Sequence, residues 1–326
     1  LSGDASYRSK VQSEQNEIDD ALKQLEVVDA KYNGLFETGN NVAVIKARWI
    51  DLKNRVLLMG GPDSADAHTR IINNDIFPLI FQISNKSNLV LDPELDSYYA
   101  MDLVVNQVPD LSEILGQARA YGLNAIARKS AGSDQRLLST LVVRGREGIS
   151  NLNKRLQIVL QVNASLEPQI RPAMIDEVAT TNQFLDIVER RIINSSTIDI
   201  PSAEYLDAAD KSVDATFRMF DVTAPALDAL LAARIQRNNQ QRLFSLGLAA
   251  LSLIAALVLV FAVARSITQP ISQLSRVADR LSLGELDARI EIDSQDEVGE
   301  LAESISRMQV SLQAAIERLR SRRTNA

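Results

Sequence analysis

Apolar residues recur along this chain three and four positions apart, a spacing that gathers them on one face of a helix. The first such run covers about Ala5 to Phe36, with Ile18, Leu22, Leu25 and Val28 on one face, and ends near Gly39-Asn40. A second spans about Val42 to Met59 and stops at Gly60-Gly61-Pro62, a strong helix breaker. A third begins after Asp63-Ser64 and carries Ile72, Ile76, Leu79, Ile80 and Ile83, with a kink expected at Pro78. Residues Asn88 to Asp96 predict an extended linker into a fourth helix, with Asp92 as N-cap, Pro93 at the first helical position and acids in the first turn. That helix is expected to reach about Lys129 with a second kink at Pro109, and two more run from about Asp134 to Leu166 and from Pro168 to Asn194. Pro201 opens the last one, which runs from Ser202 into the most apolar part of the chain, with a bend at Pro225.

From Leu243 to Ala264 no charged residue occurs, and Arg242 and Arg265 bracket the run. As a helix this run is about 33 Å long, enough for a hydrocarbon core of about 30 Å. It predicts a membrane-spanning helix; the competing reading is a core helix of a large soluble protein. Arginines flank both sides, Arg234, Arg237 and Arg242 against Arg265, Arg276 and Arg280, so positive charge does not set the orientation.

Beyond the span the apolar positions fall into heptads. Ile267, Ile271, Leu274, Ala278 and Leu281 form one seam, and Val298, Leu301, Ile305, Met308, Leu312, Ala315 and Leu319 another. Gly284, Leu286, Ile290 and Ile292 connect them, with Gly284 placed to stop the first helix. One chain cannot bury both seams, so the pattern predicts a homodimer closed as a four-helix coiled coil. Pro270 just past the span, the Gly284-x-Leu286 connector and the run Asp296-Glu297-Val298-Gly299-Glu300-Leu301 opening the second helix together resemble a HAMP domain. That resemblance implies a cytoplasmic parallel bundle that relays motion of the membrane helix, with Pro270, Gly284, Leu286, Glu297, Ile305 and Met308 as relay residues. It also implies that residues 1–242 lie outside, in the periplasm, and that the chain sits in a bacterial inner membrane. Glu297 has a purely local explanation too, as an acid at a helix N-terminus.

Seven helical pieces before the membrane exceed one four-helix bundle. The fold expected is therefore all-α and elongated: two stacked helical bundles over 1–242, one transmembrane helix over 243–264, a HAMP domain over 265–320, and the start of a linker over 321–326. A double bundle in this position resembles the helical bimodular sensors of bacterial chemoreceptors and sensor kinases. The stretch from Ser87 to Val105 also resembles a segment of other helical sensors. Leu1-Ser2-Gly3-Asp4, without Met or an apolar leader, reads as the start of a fragment or a processed product.

Composition narrows the chemistry. With 13 Gly and 9 Pro in 326 residues, turn-formers are too sparse for a many-stranded β protein. A net charge of -7 argues against nucleic-acid binding. No Cys and a single His68 leave no thiolate or multi-histidine metal site, and no phosphate loop or catalytic motif occurs, so neither cofactor nor catalysis is expected here. A kinase or cyclase output would lie beyond Ala326. Two clusters are ligand-site candidates. Asp96, Tyr99 and Asp102 share a helical face, as a pocket lining or as a structural stripe. Arg48, Trp49 and Arg55 suit a small organic anion, or else surface ion pairing. Under the anion reading, Arg48→Ala removes binding and leaves the melting temperature nearly unchanged. The partners expected are a second copy, the bilayer, a small ligand and downstream cytoplasmic signalling proteins. The reading from a different class is a structural dimeric anchor without ligand sensing.

Overall fold

The computed structural model describes residues 5–324, with side-chain surroundings for 9–319. Leu1–Asp4 and positions 325–326 lie outside the described residues, and with them the reading of the chain's start and the end of the expected linker; 321–324 continue a helix. All regular secondary structure among the described residues is helical, without strands, and the chain divides into two compact units, Leu1–Ile235 and Gln236–Ala326.

The first unit holds α1 (Ala5–Phe36), α2 (Gly39–Arg55), α3 (Gly61–Ile71), α4 (Phe77–Lys86), α5 (Leu95–Asp102), α6 (Val108–Arg128), α7 (Gln135–Val162), α8 (Glu167–Ile187) and the start of α9 (Ser202–Val263). Two apolar clusters organise it. Val42, Ile45 and Leu79 meet Leu22, Leu25, Ile76 and Ile83, so α1, α2 and α4 share a small core. The larger core runs from Ala100 to Leu227 and includes Leu103, Leu115, Leu138, Leu156, Phe184 and Tyr205, all fully buried. Ala65 of α3 packs against it. The helix formed by α3 and α4 thus serves both cores, one at each end.

The expected proline kinks take a specific form. Ile72–Ile76 and Leu103–Gln107 are π-helical turns, and each ends two residues before a proline, Pro78 and Pro109. A third, Ala264–Thr268, precedes Pro270 in the same way. A proline offers no N–H and its ring collides with the carbonyl four residues back. One wider turn gives that carbonyl room and keeps the helix running. Pro172 and Pro225 stand inside α8 and α9 without such a turn.

One local expectation is corrected. Asp92 does not cap a helix that starts at Pro93. Instead α5 begins at Leu95, and Asp92 Oδ1 accepts the Glu94 amide at 2.9 Å and the Ser97 hydroxyl at 3.0 Å. The carboxylate is used across the fold, as described below. Gly60–Pro62 opens α3 rather than only ending the helix before it, because a proline in the first turn removes a donor that has no partner there.

In the second unit every residue from Leu243 to Ala264 is exposed. A soluble core helix would bury such a run, so the helix is long and apolar enough to cross a membrane and has no protein interior to fill. After the third π turn come α10 (Gln269–Ser282) and α11 (Glu297–Thr324), joined by an irregular connector.

Candidate functional site

The proposed ligand residues all have partners within the chain. Trp49 is buried and donates its indole N–H to Asp19 at 2.8 Å. Arg48, one helical turn after Val44 of the niche lined by Asn40, Asn41, Val44, Asn74 and Asp75, pairs with Asp75 Oδ2 at 2.8 Å. Asp75 is itself buried, so Arg48 compensates an internal carboxylate. Arg55 pairs with Asp51 one turn back at 2.9 Å.

Asp96, Tyr99 and Asp102 do share one side, and that side faces α7. Asp102 is held by Arg155 and accepts the Asn106 amide at 2.8 Å, Asp96 accepts from Asn163 at 3.4 Å, and Tyr99 packs against the main core with its ring edge-on to Tyr98. The polar stripe fastens α5 to α7.

Two buried polar sites were not singled out by spacing. In the first, Arg234 of α9 places Nη2 2.7 Å from Asp92 Oδ1 and also donates to the Ser97 hydroxyl, across 142 and 137 residues of chain. Its Nε lies 3.3 Å from Glu94 Oε1. The Asp92 side chain is 1% exposed and that of Arg234 14%, so this pair is largely dry. Burial pushes the Asp92 carboxyl up, but Arg234, the Glu94 amide and Ser97 more than offset it and hold it below the usual carboxylate range. The contact pins the segment before α5 to the helix that carries the apolar run, eight residues ahead of Arg242.

In the second, Glu177 of α8 is fully buried against α9. Its Oε1 accepts from Thr181 and Thr216, each at 2.9 Å, and Thr181 meets Ser212 at 3.0 Å. Oε2 is buried without a hydrogen-bond partner. Burial pushes the carboxyl up to about 7, although both threonines favour its charged form.

The relay segment has its own geometry. Gly284 ends α10 with φ +92°, a conformation that only glycine adopts without strain. Asp296 caps α11: its Oδ1 accepts the Val298 amide at 3.0 Å, the Gly299 amide at 3.3 Å and the Ser294 hydroxyl at 2.6 Å. The Ser294 hydroxyl and these amides hold the Asp296 carboxyl below its usual range. Glu297 follows as an acid in the first turn. At Gly299 the Ser294 carbonyl lies where a β-carbon would be, which accounts for glycine in the Asp-Glu-x-Gly run. Gln309 and Gln313 both donate to the Leu286 carbonyl at 2.8 Å, and Gln309 also reaches the Ala288 carbonyl at 2.9 Å. The connector is therefore tied to α11 by side-chain amides that apolar periodicity does not reveal.

The structure divides the second heptad seam. Val298 and Ala302 are buried with Leu274, and Ile290, Ile292 and Ile305 pack against them. Leu301, Met308, Leu312 and Leu319 remain exposed. One side of α11 is satisfied by its own chain, and the other presents an apolar stripe.

Residues 262–314 match the HAMP domain family, so the segment after the span is a HAMP domain. A sensory transducer protein of Acetivibrio thermocellus is 39% identical over 56 residues, which cover 17% of this chain and 10% of that protein. The sensor protein kinase WalK of Staphylococcus aureus is 35% identical over 80 residues, 24% of this chain and 13% of that protein. The match thus spans little more than a tenth of these relatives' length. No solved structure matches the chain.

Proposed function

We propose that the chain is the sensing and relay part of a bacterial transmembrane receptor: residues 1 to about 242 sense a small molecule outside the cell membrane, and the HAMP domain passes the change to an output domain inside. One observation carries this reading. The helix that leaves the first unit continues as a fully exposed, charge-free run and leads directly into residues that match a HAMP domain. Relatives named as a sensory transducer and as a sensor kinase support it. The output is supplied by other sequence, as a kinase, a cyclase or a docking surface for signalling proteins, and this part of the chain is not itself catalytic.

The exposed stripe at Leu301, Met308 and Leu312 supports a homodimer in which α11 meets its twin. The anion reading would require a ligand to take Arg48 from Asp75, so a carboxylate at that position competes with an internal one. The orientation is tested with two single cysteines in the naturally cysteine-free chain. In intact spheroplasts, Ser133→Cys should react with a membrane-impermeant maleimide, and Glu285→Cys should react only after permeabilisation. The reverse pattern overturns the topology.

A further inference from the structure

The π turns at Ile72–Ile76 and Leu103–Gln107 line the same groove within the first unit, an open cleft of about 500 Å³. That volume is in the range of small-molecule sites, which are mostly apolar with a few polar groups that fix orientation. Phe77, Pro78, Phe81 and Pro109 supply the apolar surface. Phe81 is 58% exposed, so its ring is accessible from the cleft.

The polar lining is distinctive in its charge. Asn73, Asn106 and Gln107 contribute carboxamides, Asp110 is the charged residue, and the lining contains no Lys, Arg or His. Asn106 donates its Nδ2 to Asp102, which leaves its Oδ1 as the end able to receive a donor. Arg144 holds Asp110 Oδ1 at 3.1 Å and leaves Oδ2. Among the lining residues a carboxylate or phosphate would find no cation, and the one at the edge, Arg144, is already engaged by Asp110. An ammonium group would find a carboxylate oxygen, carboxamide oxygens and two phenyl faces, whose quadrupoles attract cations.

We infer that this groove binds a small organic amine, a protonated ammonium on an apolar ring or chain. The inference rests on the ligand-sensing reading and names its site and ligand class. The wall at 103–107 continues directly from α5, whose Ser97 bonds Arg234 of the membrane-bound helix, so a ligand that shifts this turn acts on a segment already fastened to α9.

The test uses the whole 326-residue chain in nanodiscs and three probes of one shape: 2-phenylethylamine, 2-phenylethanol and phenylacetate. The amine should bind saturably and slow amide hydrogen exchange over 73–81 and 103–110, with the alcohol about tenfold weaker or more, the scale of one charge-assisted hydrogen bond. Phenylacetate should not bind. Asp110→Asn and Phe81→Ala, both at exposed positions, should weaken the amine and leave the melting temperature unchanged. No saturable binding by the amine, equal binding by the alcohol, or protection mapping elsewhere each overturns the proposal. Met308→Cys separates the two levels of the argument: amine protection of the groove without any change in disulfide rate between protomers keeps the site and removes the sensing reading.

Discussion

Replacing Arg234 by Met keeps much of the side chain's volume and removes its charge from a site where the Asp92 carboxylate is 1% exposed. Among the described residues Arg234 is the cation paired with that carboxylate; its other donors are one amide and one hydroxyl, and Oδ2 lacks a hydrogen bond. Breaking a buried pair from one side typically costs about 3–5 kcal/mol, because the surviving charge stays out of water. Asp92→Asn should cost less, since a neutral amide needs no counter-charge, although it leaves the guanidinium without its main partner. Adding Asp92→Asn to Arg234→Met should recover part of the loss, giving a coupling of about 1 kcal/mol or more in a double-mutant cycle. The pH dependence follows from the depressed Asp92 carboxyl. Its contribution is present above the unfolded carboxylate range near 3.9 and is lost as pH falls through the lower folded value, and Arg234→Met should flatten that acid limb. Pulse proteolysis and hydrogen exchange over 89–107 read the local opening. A loss below about 1 kcal/mol in Arg234→Met, in the range of exposed pairs, would refute the claim that this contact is dry and fastens α9. The relay reading is checked separately: Arg234→Met should also change disulfide rates at Met308→Cys, and stability loss with unchanged rates would confine the pair to a structural role.

Four further outcomes are expected. Glu177, pushed up to about 7, favours the folded state when protonated; that contribution is complete below the unfolded value near 4.5 and is lost as pH rises through about 7, so Glu177→Gln should remove a slope worth about 3 kcal/mol between pH 4.5 and 8 in urea melts. Identical slopes in both proteins would show that the carboxyl is not dry. Arg48→Ala strips the partner from buried Asp75 and should destabilise by about 1–3 kcal/mol, in contrast to the unchanged melting temperature expected of a surface ligand residue; a thermal melt decides. Met308→Cys should cross-link between protomers in membranes far faster than Glu303→Cys or Arg307→Cys, which pair with each other on the outer face at 3.1 Å; equal rates at all three would remove the dimer seam. Gly299→Ala forces a methyl group onto the Ser294 carbonyl and should cost about 1–3 kcal/mol at the α11 cap, read as loss of exchange protection over 297–303.

Sequence alone determined the all-helical class, the approximate helix limits, the charge-free span and the HAMP segment, because each rests on local information: a period of three to four, a run without charge, a glycine at a stop. The prolines at 78 and 109 announced kinks, but their π form depends on the helix continuing beyond them, which packing on both sides favours; the like turn before Pro270 was not foreseen. Asp92 shows the limit most clearly. Its neighbours Pro93 and Glu94 fit a helix cap, and the cation that claims it, Arg234, lies 142 residues away. Glu177 likewise reads as an ordinary helical acid until Thr216, 39 residues on, closes over it. Arg48 and Trp49 looked available for a ligand because sequence lists side chains without their partners, and only the tertiary structure spends them on Asp75 and Asp19. A buried charge is stable only with a counter-charge or donor at contact distance, and contact distance is a property of the folded chain, not of spacing along it.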